Sequence, residues 1–426
     1  MNRNYSTLTS LLSKIVDNRG KSVPLADTGF PLIATNCIKH SSIYPTFENI
    51  RYINEETKAN FFRAHPEPND IIFVNKGTPG RVCLVPDPVN FCFAQDMMSF
   101  RCDPTKIDYQ YLFAVLRSEY IQKTIENYHV GLVIPHFKKS DLVNLKIPRL
   151  KSRKEELLIG EFFLNVLKKI DTNVKIVSQL SEFLVCIYNF WFKQFNFPNE
   201  NNKPYKALGG ELVFNQTLNT MIPNKWEVKK IGDITKTCLG GTPNTKTDEY
   251  WSDGEIPWLS SAEVSNFPIT SSLQKISKLG LENSAAQLLP KGTVVVSIVR
   301  YIRPSILALD AATNQSVVGI RENEDLKSSF LYPYFLSEVP RLMSLRTGAQ
   351  QPHINKGIID NSLIVVPPNS LLTKYYQIVD PMIEQINNLA FQNNLLQKSL
   401  DFIMPMLLNE QISFKEAEAH IVKILS

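Results

Sequence analysis

The 426-residue chain has no apolar stretch long enough to cross a bilayer. Its longest nearly apolar run, FLVCIYNFWF at 183–192, is about half the ~20 residues that a spanning helix needs. The opening segment MNRNYSTLTSLLSKIVDNRGK is too polar to be a secretory signal. Six cysteines (Cys37, Cys83, Cys92, Cys102, Cys186 and Cys238) are scattered without a C-x-x-C pair. That pattern argues against a disulfide framework and for reduced thiols in the cytoplasm. The six histidines have no zinc-ligand spacing with cysteine, so no metal is expected. Lys plus Arg exceed Asp plus Glu by only five (46 against 41), which excludes a histone-like polycation. Any surface for nucleic acid must be a local patch.

Catalytic signatures are also missing. There is no G-x-G-x-x-G after a strand, no Walker A sequence and no H-E-x-x-H. The PP of VVPPNS (365–370) lacks the preceding Asn and following aromatic of an adenine-methyltransferase loop. The segment DIIFVNK (70–76) has one Asp and one Lys around a strand, but no second acid to complete a Mg²⁺-dependent nuclease site. No cofactor is expected.

What the chain does have is a repeat with a period near 220. PNDIIFVNKGTPGRVCLV (68–85) matches PKGTVVVSIVRYIRPSIL (290–307), and AQDMMSFR (94–101) matches NQSVVGIR (314–321). GLVIPHFKKSDLVNLKIP (131–148) matches GAQQPHINKGIIDNSLIVVP (348–367), and GFPLIATN (29–36) matches EIPWLSSA (255–262). Four matches in one order predict two related halves of mixed helix and strand. A 43% hydrophobic content allows both to be well packed.

Each half ends in apolar residues spaced alternately by three and four. The first series is Phe163, Val166, Ile170, Asn173, Val177, Leu180, Leu184, Ile187 and Trp191. The second is Val379, Met382, Ile386, Leu389, Asn393, Leu396, Leu400, Ile403 and Leu407. A period near 3.5 predicts two coiled-coil seams, each with one polar slot, at Asn173 or Asn393. Such a slot either sets register or is a loosely packed, solvated layer. In an antiparallel pair the fourth position of one seam lies across from the sixth of the other, so the two slots need not meet. Helices of about 30 residues would be ~45 Å long, the length of about 13 base pairs of B-DNA.

Basic and amide side chains recur in equivalent loops. Lys76 and Arg81 flank the glycines of NKGTPGR, and Arg300 and Arg303 occupy the matching VRYIRP. Lys138 and Lys139 lie in HFKKSD, while RTGAQQPHINK carries Arg346, Gln350, Gln351, His353 and Lys356. Lys21 in the first half, and Thr242 and Lys246 in the second, lie in the loops that open the repeats. Arg and Lys suit phosphates or guanine edges and Gln suits adenine; a solvated surface is the better explanation of any one of them alone, and it is their recurrence in equivalent loops of both repeats that points to DNA. His136 and His353 each follow a proline, as turn-capping or DNA-facing groups. In CLGGTPNT (238–245), the amides of Gly240 and Gly241 with Thr242 suit either a phosphate contact or a turn closing over Trp251 and Trp258.

The segments IPNKWEVKKIGDI (222–234), GGTPNTKTDEYWSDGEIPWLSSAEV (240–264) and GAQQPHINKGIIDNSLIVVPP (348–368), the last leading into a heptad helix, resemble the specificity subunit of type I restriction–modification enzymes. The first half shows the same order in weaker form, with DNRGKSVP (17–24) in place of the Gly-Gly-Thr-Pro segment. The resemblance implies an α/β (α+β) chain of two similar target-recognition domains in a pseudo-two-fold repeat, separated by a long antiparallel two-helix coiled coil. The expected divisions are residues 1–150 and 198–370 for the domains, 151–197 for the central helix, and 371–426 for the distal helix and tail. It implies a non-catalytic reader of double-stranded DNA, each domain taking one half of a bipartite site. The helices would dock two methyltransferase subunits, and restriction subunits would join the full complex. Two other readings remain: a single-chain endonuclease or methyltransferase, and a coiled-coil scaffold that touches no DNA.

Overall fold

The computed structural model describes residues 4–18, 22–128 and 135–425. The chain divides into two compact units, Met1–Asn173 with Gln392–Ser426, and Val174–Phe391. The first unit holds β1 (Asn4–Thr7), β2 (Leu12–Asp17), β3 (Phe30–Ile33), β4 (Arg51–Ile53), β5 (Ile71–Val74), β6 (Val82–Leu84), β7 (Cys92–Phe93), β8 (Met97–Cys102) and β9 (Lys146–Arg149). The second holds β10 (Leu212–Asn215), β11 (Thr220–Pro223), β12 (Glu227–Lys230), β13 (Thr237–Leu239), β14 (Ile256–Leu259), β15 (Gln274–Ile276), β16 (Val294–Ser297), β17 (Arg303–Ile306), β18 (Ala312–Thr313), β19 (Val317–Ile320) and β20 (Leu363–Val366).

The two units repeat one topology. A four-stranded antiparallel sheet runs β2-β8-β5-β6 in the first and β13-β19-β16-β17 in the second. A three-stranded sheet runs β4-β3-β7 in the first and β15-β14-β18 in the second, and its β3–β7 and β14–β18 pairs are parallel. The pair β1–β9 matches β12–β20. All four sequence matches therefore fall on corresponding elements.

One inner strand of each four-stranded sheet, β5 or β16, is buried along its whole length because it is covered on both faces. In β5, Ile71 and Phe73 pack into the core that contains Leu112, Val115 and other helical residues, while Ile72 and Val74 pack against Leu32, Ile33 and Phe93 of the small sheet. In β16, Val294 and Val296 face Phe330 and Leu331, while Val295 faces Leu259. The period of two sorts the side chains between layers, and β-branched residues fill both.

The central helix (Arg153–Tyr188) and distal helix (Asn369–Leu408) have 36 and 40 residues, longer than the seams predicted. Each contributes to both units. In the first, Phe163 and Val166 share a core with Leu396, Leu400, Ile403 and Leu407. In the second, Leu184 and Trp191 share one with Tyr375 and Val379. The polar slots meet within the first unit. The Asn173 amide, fully buried, donates to Asn393 Oδ1 and Gln392 Oε1, both at 2.8 Å, and the Asn393 amide donates to the Ile170 carbonyl at 3.3 Å. The seams are thus one layer out of the simplest alignment, and in the second unit Trp191 packs at a tilt against Tyr375, ahead of Val379, with ring centres 5.7 Å apart. Trp191 itself lies in a short π-helical segment, Asn189–Lys193, whose wider turn buries Trp191 and Phe192 together.

The entry to the central helix is fixed by an ion pair between a half-buried arginine and a buried glutamate. Arg149, closing β9, donates to Glu156 in the first helical turn through Nε at 2.7 Å and Nη2 at 2.8 Å. Glu156 also accepts the Leu150 amide at 3.1 Å. The tail forms a helix, Phe414–Leu425, that buries Ala417 and Ile421 and sets Phe414 edge-on to Phe162 at 5.7 Å. One addition is confined to the second unit: the β10–β11 hairpin follows a stack in which the Phe197 ring lies against Tyr205 at 4.6 Å and Trp226 at 4.9 Å. Among the described residues no helix is long and apolar enough to cross a membrane.

Two measurements test this packing. Asn173→Ala removes a buried amide that donates to the half-buried Asn393 and Gln392, so the first unit should lose about 0.5–1.5 kcal/mol in urea denaturation followed by circular dichroism; an unchanged midpoint would contradict a structural role for this amide contact. Burial raises the Cys92 thiol to about 11 and the Cys102 thiol to about 12. Cys37, Cys83 and Cys238 are also buried, and Cys186 is exposed. Because the thiolate is the reactive form, a maleimide at pH 8 should label Cys186 alone in the native protein. Rapid labelling of several thiols would contradict the packing.

Candidate nucleic-acid interface

In the second unit, the ends of four strands converge. Register places Leu239 opposite Val318, and Ser297 opposite both Val317 and Arg303. The loops after β13, before β19 and between β16 and β17 therefore leave the same end of the four-stranded sheet. A fourth loop joins them by backbone bonds: the Arg300 amide donates to the Pro352 carbonyl at 2.7 Å, and the Ile354 amide to that of Ile298 at 3.0 Å. His353 pairs with Val299 and Thr347 in isolated bridges. Arg300, Arg303, Gln350, Gln351 and His353 are exposed at this end.

Their neighbours sort them further. Arg346 is half-buried and donates to the Met343 carbonyl at 3.0 Å and to the Arg300 carbonyl, so it braces the loop. Lys356 is tied to Asp360 at 2.6 Å, whose other oxygen accepts the Thr237 hydroxyl. Thr242 donates its hydroxyl to Gln315 Oε1, which puts the exposed Gln315 at the same edge. Lys246 is exposed in the loop beyond, where its amide donates to Asn244 Oδ1 at 3.0 Å.

The first unit repeats the design with different side chains. Asp17 opposite Met98, and Val74 opposite Met97, mark the matching sheet end. Lys76 bridges to His136, the Gly77 amide donates to Pro135 and the Phe137 amide donates to Asn75. Lys76, Lys138 and Lys139 are exposed and Arg81 is half-buried. Lys139 lies 3.7 Å from Asp17, and Asp141 accepts the Lys138 amide at 2.8 Å. His136 is half-buried, with Nε2 at 3.3 Å from the Asn75 amide nitrogen, while His353 is exposed with Nδ1 at 3.1 Å from the Gln351 carbonyl. Lys21 lies outside the described residues.

The glycines of the CLGGTPNT loop are engaged internally. The Gly240 amide donates to Val317 at 3.1 Å and the Gly241 amide to Thr313 at 2.8 Å. Trp258 donates its indole N–H to the Gly241 carbonyl at 3.0 Å, and Trp251 packs edge-on against Trp258 at 5.1 Å. A Cβ on Gly240 would stand 2.2 Å from the Asn314 carbonyl oxygen, and one on Gly241 would stand 2.3 Å from the Ala285 carbonyl carbon. Glycine is needed here for close approach of two backbones, and neither amide is left to cradle a phosphate.

The one acid singled out around β5 is likewise structural. Asp70 is buried and takes Arg101 Nε at 3.0 Å and Nη2 at 3.1 Å, with the Ser99 hydroxyl at 3.1 Å. Among the described residues there is no cluster of His, Cys, Asp or Glu that could hold a metal ion. Tyr301, Gln315 and Asn75 were not singled out in the sequence. Tyr301 is neither basic nor an amide, and the places of Gln315 and Asn75 follow from strand register.

The family model of the type I restriction modification DNA specificity domain matches residues 17–182 and again 223–397. The chain belongs to this family and carries its domain twice. It is similar to the specificity subunit of the type I restriction enzyme MjaIX of Methanocaldococcus jannaschii, 23% identical over 312 residues, which cover 72% of this chain and 70% of that one. It is also similar to the EcoR124I/EcoR124II specificity subunit of Escherichia coli, 24% identical over 192 residues, 42% of this chain and 48% of that one. The crystal structure of a type I restriction–modification S subunit from M. genitalium shares the fold, with a TM-score of 0.57 at 16% identity and 96% of each chain covered.

The close approach at the glycines is testable without DNA. Gly240→Ala should destabilise the second unit by about 1–3 kcal/mol in thermal or urea unfolding, the usual effect of overpacking. Unchanged unfolding combined with lost DNA binding would instead restore the phosphate cradle.

Proposed function

We propose that this chain is the DNA-reading subunit of a type I restriction–modification complex, each unit taking one half of a bipartite site. It recognises DNA and leaves cleavage and methylation to its partners. The observation that carries this is the duplicated sheet end, where one topology collects cationic and amide side chains twice, in loops that strand register holds together. Lys76, Arg81, Lys138 and Lys139 serve one half-site. Arg300, Arg303, Gln350, Gln351 and His353 serve the other, with Thr242 and Lys246 at the rim and Arg346 and Lys356 bracing the loops; Lys21 is assigned to the first half-site from its place in the sequence alone. Exposed lysines suit phosphates, which position the protein; planar arginines and amides suit base edges, which specify sequence.

The central and distal helices form an antiparallel pair along their length and set the distance between the half-sites. At 1.5 Å per residue they extend ~54 and ~60 Å, the length of about 16–18 base pairs. The pairing within each unit and the continuity of each helix across the division between units support this reading. The helices also dock two methyltransferase subunits, which bring S-adenosylmethionine and flip the target adenine. Large apolar side chains left exposed along them, Val174 and Phe183 on the central helix and Ile378, Leu395 and Phe402 on the distal one, suit protein partners. Restriction subunits complete the assembly, which works on cytoplasmic DNA.

The test is a map of methylated adenines in cells that carry the methyltransferase with and without this chain. A split motif that disappears with the chain is the expected result. Methylation that persists without it, or a continuous motif, would overturn the reading.

A further inference from the structure

We infer that Arg303 reads a guanine in the half-site of the second unit, and that Tyr301 is the positioning residue that holds it. This rests on the DNA-reading function proposed above. The β16–β17 turn is strained. Arg300 has φ of +60°, uncommon for a residue with a side chain. The Tyr301 amide donates to the Val299 carbonyl two residues back, at 2.7 Å. A positive φ beneath an i→i+2 bond is the mark of the rare γ-turn. Such a turn persists only where its surroundings over-determine it, and these cluster at binding sites.

The surroundings do so here. Ile298 and Ile302, on either side, are buried. The Ile302 amide donates to Met343 Sδ at 3.4 Å, the Arg300 amide to Pro352, and Arg346 to the Arg300 carbonyl. With both flanks pinned, the turn pushes Tyr301 outward, and it is 59% exposed. A large ring held in water by a strained backbone has no role in the core. The Arg303 guanidinium lies over it, 5.0 Å from the ring centre.

Stacking on an aromatic face restricts a guanidinium while leaving its N–H edge free. That edge matches the O6 and N7 acceptors of guanine, whereas a phosphate is served equally well by a mobile cation. The corresponding turn of the first unit, Asn75–Gly80, has Gly77 and Gly80 at positive φ and no aromatic residue. The two half-sites are therefore read by different chemistry, and Tyr301 marks one of them.

The test uses the full chain in complex with its methyltransferase, methylating a library randomised across both half-sites. Tyr301→Ala and Arg303→Lys should each relax preference at one and the same base pair, by about 5- to 150-fold, and leave the other half-site unchanged. Tyr301→Phe, which keeps the ring, should retain the preference. Unchanged selectivity in Tyr301→Ala, or a uniform loss at every position in Arg303→Lys, would overturn the inference. A wild-type complex that selects no bipartite motif would instead sink the underlying reading. Should Tyr301→Ala fail to fold by circular dichroism, Arg303→Lys and Tyr301→Phe still decide the matter.

Discussion

The buried contact between Asn173 and Asn393 is the constraint on which the rest depends. Two apolar heptad seams can slide by a layer at little cost, but an amide buried without its partners cannot. With Asn173 donating to both Asn393 and Gln392, one register is favoured over its neighbours. Both helices run on into the second unit. A polar layer weakens the pairing locally and in return makes its register definite.

The second constraint is strand register. Candidate DNA-contacting side chains are far apart in the chain, from Lys76 to Lys139 in one unit and from Thr242 to Lys356 in the other. They come together because antiparallel pairing returns each loop to one end of the four-stranded sheet. Backbone bonds from Arg300 to Pro352 and from Phe137 to Asn75 then tie the last loop to the turn. The framework is shared between units while the side chains it presents differ, so the two halves of a DNA site need not be alike. The added β10–β11 hairpin and its aromatic stack lie outside this shared framework, and nothing among the described residues of the first unit corresponds to them.

The repeat was legible in the sequence because its strongest carriers, the buried strands around Ile71–Val74 and Val294–Ser297, must be apolar on both faces in each copy. The two long helices were legible for a similar reason, since apolar residues recurring every three or four positions survive in sequence. Their register was not: whether Asn173 meets Asn393 depends on where each helix begins, and the Arg149–Glu156 pair that fixes one beginning shows no periodicity. The glycines of CLGGTPNT left two readings open because tight backbone packing and phosphate binding call for the same residue. Only the placement of their amides separated the two. Tyr301 was illegible as a site residue because an aromatic flanked by Ile298 and Ile302 looks like core, and the γ-turn that exposes it leaves no compositional trace.

The proposed role of the helices as the spacer between two half-sites is tested most directly by changing their length. Removing residues 174–180 from the central helix and 385–391 from the distal helix takes out one heptad from each and leaves Asn173 opposite Asn393. Seven residues correspond to ~10 Å, or about three base pairs. The unread gap in the methylated motif should shorten by about that amount, or recognition should fail because the half-sites no longer face the protein together. A motif recovered with its original gap would contradict the account.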